Sequence, residues 1–239
     1  MQSRFLTIFA LSAALALSVR AEDKPKDPAA AAFPGLATVA IPEKDTPFPG
    51  QVAYDAKLSE LIDKPLPLEE GAPEIRRMIS TRVSRDAETR YFIDFDPGPS
   101  ADPGFDITDQ KTGKLIGSIG AESLAIPGNG FIYATGRANR MHLEHLKYAI
   151  RDGKLVEIEQ PFSYVGLQSK AKVELKLLAK KDGGETIATI PKGDSLEVVL
   201  RDGEHLLIKT RFGLLGWWKM NTSVMANNAE IEGIYYAGD

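Results

Sequence analysis

The chain has 239 residues, no cysteine, three histidines and a formal net charge of −4 at pH 7. Its length admits one or two domains of the usual ~100–200 residues, and a hydrophobic content of 43% is enough to fill a core. The lack of cysteine excludes disulfides, thiolate metal sites, a cysteine nucleophile and a lipidated N-terminal cysteine, and the acidic balance disfavours nucleic acid and anionic lipid, whose phosphates are held by clustered Lys and Arg.

Arg4 is a minimal basic head, and Phe5 to Val19 is an apolar run. Val19-Arg20-Ala21 then places small residues at the −3 and −1 positions of a cleavage site ahead of Glu22. This pattern predicts a secretory signal peptide over 1–21, because the run is too short for an ordinary membrane span. Cleavage removes Arg4 and Arg20 and leaves a charge of −6. The expected location is periplasmic or secreted, with no stable membrane insertion after cleavage. Residues 22–50 carry six prolines among Ala and Lys with little periodicity, and read as a flexible or extended linker.

Val52, Leu58 and Leu61 predict a short helix over 51–61, closed by Pro65 and Pro67. Pro73 and Glu74 suit the first turn of a second short helix over 73–79. From Arg90 the pattern turns to strands: 91–95, then Phe105 and Ile107, 115–119, 131–133, 146–150 and 155–158. Gln110-Lys111-Thr112-Gly113-Lys114 and Arg151-Asp152-Gly153-Lys154 supply hairpin turns. Residues 51–166 are therefore expected to form a β-rich domain, a meander of six or seven strands with sandwich character.

A second β unit is expected over 167–239. Val173, Leu175 and Leu177 alternate with Glu174 and Lys176. Thr186 to Ile190 comes after the Gly183-Gly184 turn. Leu196, Val198 and Leu200 form an inward row, Leu206, Ile208 and Thr210 the next, and Leu214, Gly216 and Trp218 the last. Spacing near ten residues per strand predicts a small barrel. The tail Ile231-Glu232-Gly233-Ile234-Tyr235-Tyr236 is apolar enough to dock back on it. The fold class is thus all-β: a meander or sandwich-like middle domain, then the small barrel, with short N-terminal helices.

Ile187 to Ile190, Pro191-Lys192-Gly193-Asp194, Leu196 to Leu200, Leu206 to Lys209 and Gly216-Trp217-Trp218 stand in the order of a short apolar strand, a lysine-glycine turn, an apolar strand, a further hairpin strand and a closing Gly-Trp strand. This layout, over residues 170–220 and about a fifth of the chain, resembles the bacterial SH3 domain family. Leu177-Leu178-Ala179-Lys180 and His205-Leu206 stand where the family often has Leu-Asn-Val-Arg and a Trp. The resemblance implies an SH3-like barrel that contacts peptidoglycan or peptides in a cell-envelope protein.

Chemistry-bearing motifs are sparse. His142-Leu143-Glu144-His145 has a spacing of three where a zinc-protease helix needs four. Asp94, Asp96, Asp102, Asp106 and Asp109 surround a loop whose Pro97 and Pro99 break the EF-hand pattern. There is no Gly-x-Ser-x-Gly elbow for a triad, and Gly128-Asn129-Gly130 lacks the Lys-Ser or Lys-Thr of a phosphate loop. No catalytic residue, metal ligand or cofactor is expected. Trp217 and Trp218 are adjacent on a strand and must face opposite ways. Parity sends Trp218 inward, so Trp217, with Phe212, Tyr235 and Tyr236, is expected to line a shallow aromatic groove. The expected function is an exported, non-enzymatic envelope protein binding peptidoglycan, a peptide or a protein partner. The alternative is an envelope hydrolase with its site in the middle domain and the barrel as targeting piece.

Overall fold

The computed structural model describes residues 31–41, 50–67, 74–98 and 102–238. The expected signal peptide lies outside the described residues, as do 22–30 and 42–49 of the expected linker. Strands dominate. The first are β1 (Ala37–Ala40) and β2 (Gln51–Tyr54). Next come β3 (Ser59–Pro65), β4 (Arg76–Thr81), β5 (Tyr91–Asp96), β6 (Gly104–Asp109) and β7 (Leu115–Gly120). After these stand β8 (Ser123–Ile126), β9 (Phe131–Gly136), β10 (Glu144–Arg151) and β11 (Lys154–Glu157). The C-terminal part holds β12 (Ser163–Lys170), β13 (Leu175–Lys180), β14 (Gly183–Ile190), β15 (Ser195–Asp202), β16 (His205–Thr210) and β17 (Leu215–Lys219).

The first two sheets form a sandwich. One has the order β1-β2-β8-β9-β10-β11 and the other is the meander β3-β4-β5-β6-β7. Their facing sides share one core: Val52, Leu124, Ile126 and Ile132 from the first sheet meet Ile79, Ile93, Phe95, Phe105, Ile107 and Ile119 from the second. Phe95 and Phe105 lie side by side with ring centroids 5.3 Å apart, and each fully buried ring contributes about 1.5–3 kcal/mol. Phe95 also requires Gly50, since a Cβ there would stand 2.3 Å from the ring.

The N-terminal region departs from expectation. Residues 51–61 are not a helix, and neither are 74–79, the described part of the second expected helix over 73–79. The first contains β2 and the start of β3, and the second runs into β4. Ala37–Ala40 of the expected linker is a strand that pairs with β2. β2 lacks alternation because it is covered on both faces: Val52 joins the main core and Ala53 packs with Ala125, Phe33, Leu36 and Tyr133. It runs parallel to β8, and strands buried on both faces read as continuous apolar runs. In β4 the register shifts between Arg77 and Ile79, so a bulge hides the period-two pattern.

The third sheet has the order β12-β15-β16-β17-β13-β14. The five strands expected between 173 and 218 are β13 to β17, and β12 is an addition. Sequential β14 and β15 are not neighbours. The Pro191–Asp194 turn between them is tied elsewhere, with Gly193 N–H donating to Ala171 O at 2.8 Å and Ala171 N–H to Asp194 O at 3.0 Å. These bonds lay β15 against β12. β12 and β14 are the two edges, so no hydrogen-bonded ladder closes the sheet on itself. The core on its inner face contains Leu175, Leu177, Leu196, Val198, Leu206 and Ile208, capped by Met220, Val224, Ile231 and Ile234 of the tail. The tail docks as expected, with Lys172 N–H donating to Glu230 O at 2.8 Å and Tyr235 N–H to Met141 O at 3.1 Å.

Three inward assignments change. Val173 lies ahead of β13 and is 40% exposed, and Leu214 lies ahead of β17 and is 41% exposed. Leu200 turns outward because the register passes from Val198–Ile208 directly to Leu200–Leu207. The extra residue, Val199, is a bulge that reverses the parity of the rest of the strand.

Candidate binding face

Trp217 sits at the middle of β17, the strand joining β16 to β13. Its ladder partners are Leu207 on β16 and Leu178 on β13. Leu207 is paired with Leu200 on β15, and Leu200 with Tyr164 on β12. Residues opposite one another in an antiparallel ladder point to the same face. Tyr164, Leu200, Leu207, Trp217 and Leu178 therefore form one transverse row across five strands. Its neighbours on the inner face, Val198, Ile208, Gly216 and Leu206, are buried, which sets the row on the outer face. Leu200, Leu207, Trp217 and Leu178 are half-exposed, and Tyr164 is 63% exposed. Tyr164 lies over Gly166, whose φ of 61° and missing Cβ leave room for the ring.

Charged groups rim this row. The Lys181 ammonium stands 5.2 Å from the Trp217 ring centroid and is hydrogen-bonded to Asp202, a cation–π contact beside an ion pair. Glu197 accepts from Lys209 at 2.7 Å, and the hydrogen bond holds its carboxyl below the usual range. Lys219 lies 3.4 Å from Glu204. Lys176 and Lys180 flank Leu178 on β13, both exposed, with no ion pair among the described residues.

The four aromatic residues expected to share a groove are separated. Trp218 packs against the inner core, as its parity predicts, together with Tyr235 and Tyr236. Trp217 is on the other face. Tyr235 lies under the Arg137 guanidinium, 4.4 Å from ring centroid to Cζ, and Tyr236 Oη donates to Asn139 Oδ1 at 2.8 Å. These two tyrosines fasten the tail to the sandwich. Phe212, 89% exposed, occupies the turn between β16 and β17. Sequence reasoning misses Tyr164, Leu200, Leu207 and Leu178, because no alternation marks β12 and the Val199 bulge leaves no trace in the spacing.

The acidic loop residues have local roles. Asp94, 4% exposed, takes two hydrogen bonds from Arg77, each 2.8 Å, and Arg77 in turn covers Phe92 at 3.7 Å. Ser118 donates to Asp106, and Thr112 donates to Asp109 through both its N–H and its hydroxyl. Among the described residues no group of three or more His, Asp or Glu is placed to hold a metal ion. His142 and His145 diverge: His142 is 2% exposed at the seam between sandwich and third sheet, and His145 is exposed on β10. A cleft of about 440 Å³ beside Arg90 is lined by Glu88, Asp109, Gln110 and Lys111 without a histidine, and Arg90 itself is spent on Ser80 and Leu58. Comparison with protein families, curated proteins and solved structures finds no match for this chain.

Proposed function

We propose that this chain is an exported, non-enzymatic protein of the cell envelope whose C-terminal sheet is an SH3-like module that holds peptidoglycan, a peptide or a protein partner. The observation that carries this reading is the outer row centred on Trp217. Apolar and aromatic groups recur on five strands of a face that the chain's own core leaves uncovered. A rigid sheet presents them in fixed register, which lowers the entropy lost on binding. Amphipathic Trp and Tyr are the residue types that anchor such contacts. The leader-like pattern over 1–21 supports export, and the layout from Ile187 to Trp218 supports the SH3 likeness. The hydrolase alternative gains no support from the cleft beside Arg90, where Asp109 is committed to Thr112 and Arg90 to Ser80.

Co-sedimentation with purified cell wall tests the proposal. The wild-type protein is retained and Trp217→Ala is released, while circular dichroism of the variant is unchanged because the indole lies outside the core. Equal retention of the two proteins rules the face out.

A further inference from the structure

We propose that the Trp217 face receives an acidic, extended segment of a partner protein, with an apolar side chain of that segment on Leu178 and Trp217 and carboxylates on Lys176 and Lys180. This rests on the reading of the face as a binding surface and narrows what occupies it.

The argument is one of charge and spacing. The chain as a whole is acidic, yet two ammoniums beside this row have no carboxylate in ion-pair contact among the described residues. Each acid beside the row on β15 and in the β15–β16 turn is matched: Glu197 by Lys209, Asp202 by Lys181 and Glu204 by Lys219. Lys176 and Lys180 remain, exposed and without an ion pair among the described residues. Asp182 and Glu185, the acids nearest along the chain, pair with neither. The irregularities between β13 and β14 fall where Leu177, Leu178 and Lys180 face Ala188, Thr186 and Gly183. The extra residues are therefore on β14, and β13 stays regular. Lys176, Leu178 and Lys180 consequently alternate onto one face, with the two ammonium-bearing residues about 13 Å apart and the apolar one midway. An extended partner matches this with a carboxylate, an apolar residue and a carboxylate at every second position. Leu178 sits directly beside Trp217, so the central side chain lands on the largest ring of the row. A neutral or basic segment would cover both ammoniums without compensating their lost hydration. Two ammoniums along a strand are also too few for the phosphate contacts on which nucleic-acid affinity rests.

The test is isothermal titration of the purified protein with short peptides in which glutamate, leucine and glutamate stand at every second position between serines. The same peptides with glutamine or lysine in place of glutamate serve as controls, and phosphatidylglycerol vesicles as a further probe. The glutamate peptide is expected to bind about ten-fold more tightly than the glutamine peptide, from two exposed charge pairs, with the preference shrinking as salt is raised. Lys176→Glu combined with Lys180→Glu is expected to abolish the preference, and Trp217→Ala to weaken both peptides alike. Equal affinity for the glutamate and glutamine peptides, a preference for lysine, or binding to vesicles that the glutamate peptide does not compete overturns the inference. If that happens while Trp217→Ala still lowers cell-wall retention, the face stands as a binding surface and only its acidic partner falls. If neither peptides nor cell wall distinguish Trp217→Ala from wild type, both fall.

Discussion

Arg201 on β15 donates to Glu144 on β10 at 3.1 Å, joining the third sheet to the sandwich. The other carboxylate oxygen of Glu144 accepts from Arg140, also at 3.1 Å. The three side chains are between 16% and 27% exposed, so removing the shared acid leaves two partly desolvated guanidiniums. Glu144→Ala is expected to cost about 2 kcal/mol, between the surface and buried limits for ion pairs. Thermal unfolding should register a fall in Tm of about 5 °C. A change below one degree would show that the seam is held by its apolar contacts alone.

His142 lies at the same seam. Its Nδ1 is 2.8 Å from Leu143 O and its buried Nε2 has no hydrogen-bond partner. Burial pushes its pKa below the ordinary 6.5, outweighing the raising effects of Leu143 O and Glu144; Arg201 and Arg137 push it further down. The folded state therefore takes up the proton less readily than the unfolded chain. Its contribution is complete above pH 6.5 and is lost as pH falls through the lower folded value. Urea midpoints should drop between pH 7 and pH 5.5 in the wild type, and the drop should flatten in His142→Gln. Parallel pH profiles for the two proteins would contradict the assignment.

Tyr148 is buried on β10, and its hydroxyl donates to Glu157 at 3.1 Å. Burial first, and the adjacent carboxylate second, push its pKa up to about 12. Ultraviolet titration should show one of the seven tyrosines ionising last, and Glu157→Gln should move that step down. A wild-type titration complete near pH 10.5 would disagree.

Gly216 is required by the β17–β13 pairing. A Cβ there would lie 2.7 Å from Leu177 Cβ, and a Cβ is fixed by the backbone. Gly216→Ala must push β17 away from β13, at an expected cost of about 1–3 kcal/mol. It should also displace Trp217, so the variant should lose cell-wall retention together with stability. A variant as stable as the wild type would mean that the two strands separate freely.

The features legible in the sequence are those that local rules govern. Strands bounded by Asp-Gly turns can be read directly, since Asp152 and Gly153 take φ of 51° and 68°, the geometry that a two-residue hairpin demands. The opposed faces of Trp217 and Trp218 come from strand parity. Strands covered on both sides, β2 and β8, give no alternation to read. One bulged residue at Val199 sends Leu200 to the opposite face from the one its spacing implies, and with it hides the row that makes the candidate face. The tail tyrosines escape for a different reason. Tyr235 is recruited by Arg137, 98 positions earlier, and nothing nearby in the chain announces that contact.

The parallel pairing of Gln51–Tyr54 with Ser123–Ile126 has a consequence for the order of events during synthesis. Each strand between those segments pairs only with its near neighbours and can assemble as it emerges. The early hairpin has to wait until some seventy further residues have been made before Val52 meets Leu124, and distant encounters of this kind slow folding. A polypeptide stopped short of Ser123 would hold a finished meander with its apolar side open to solvent, a species prone to aggregate.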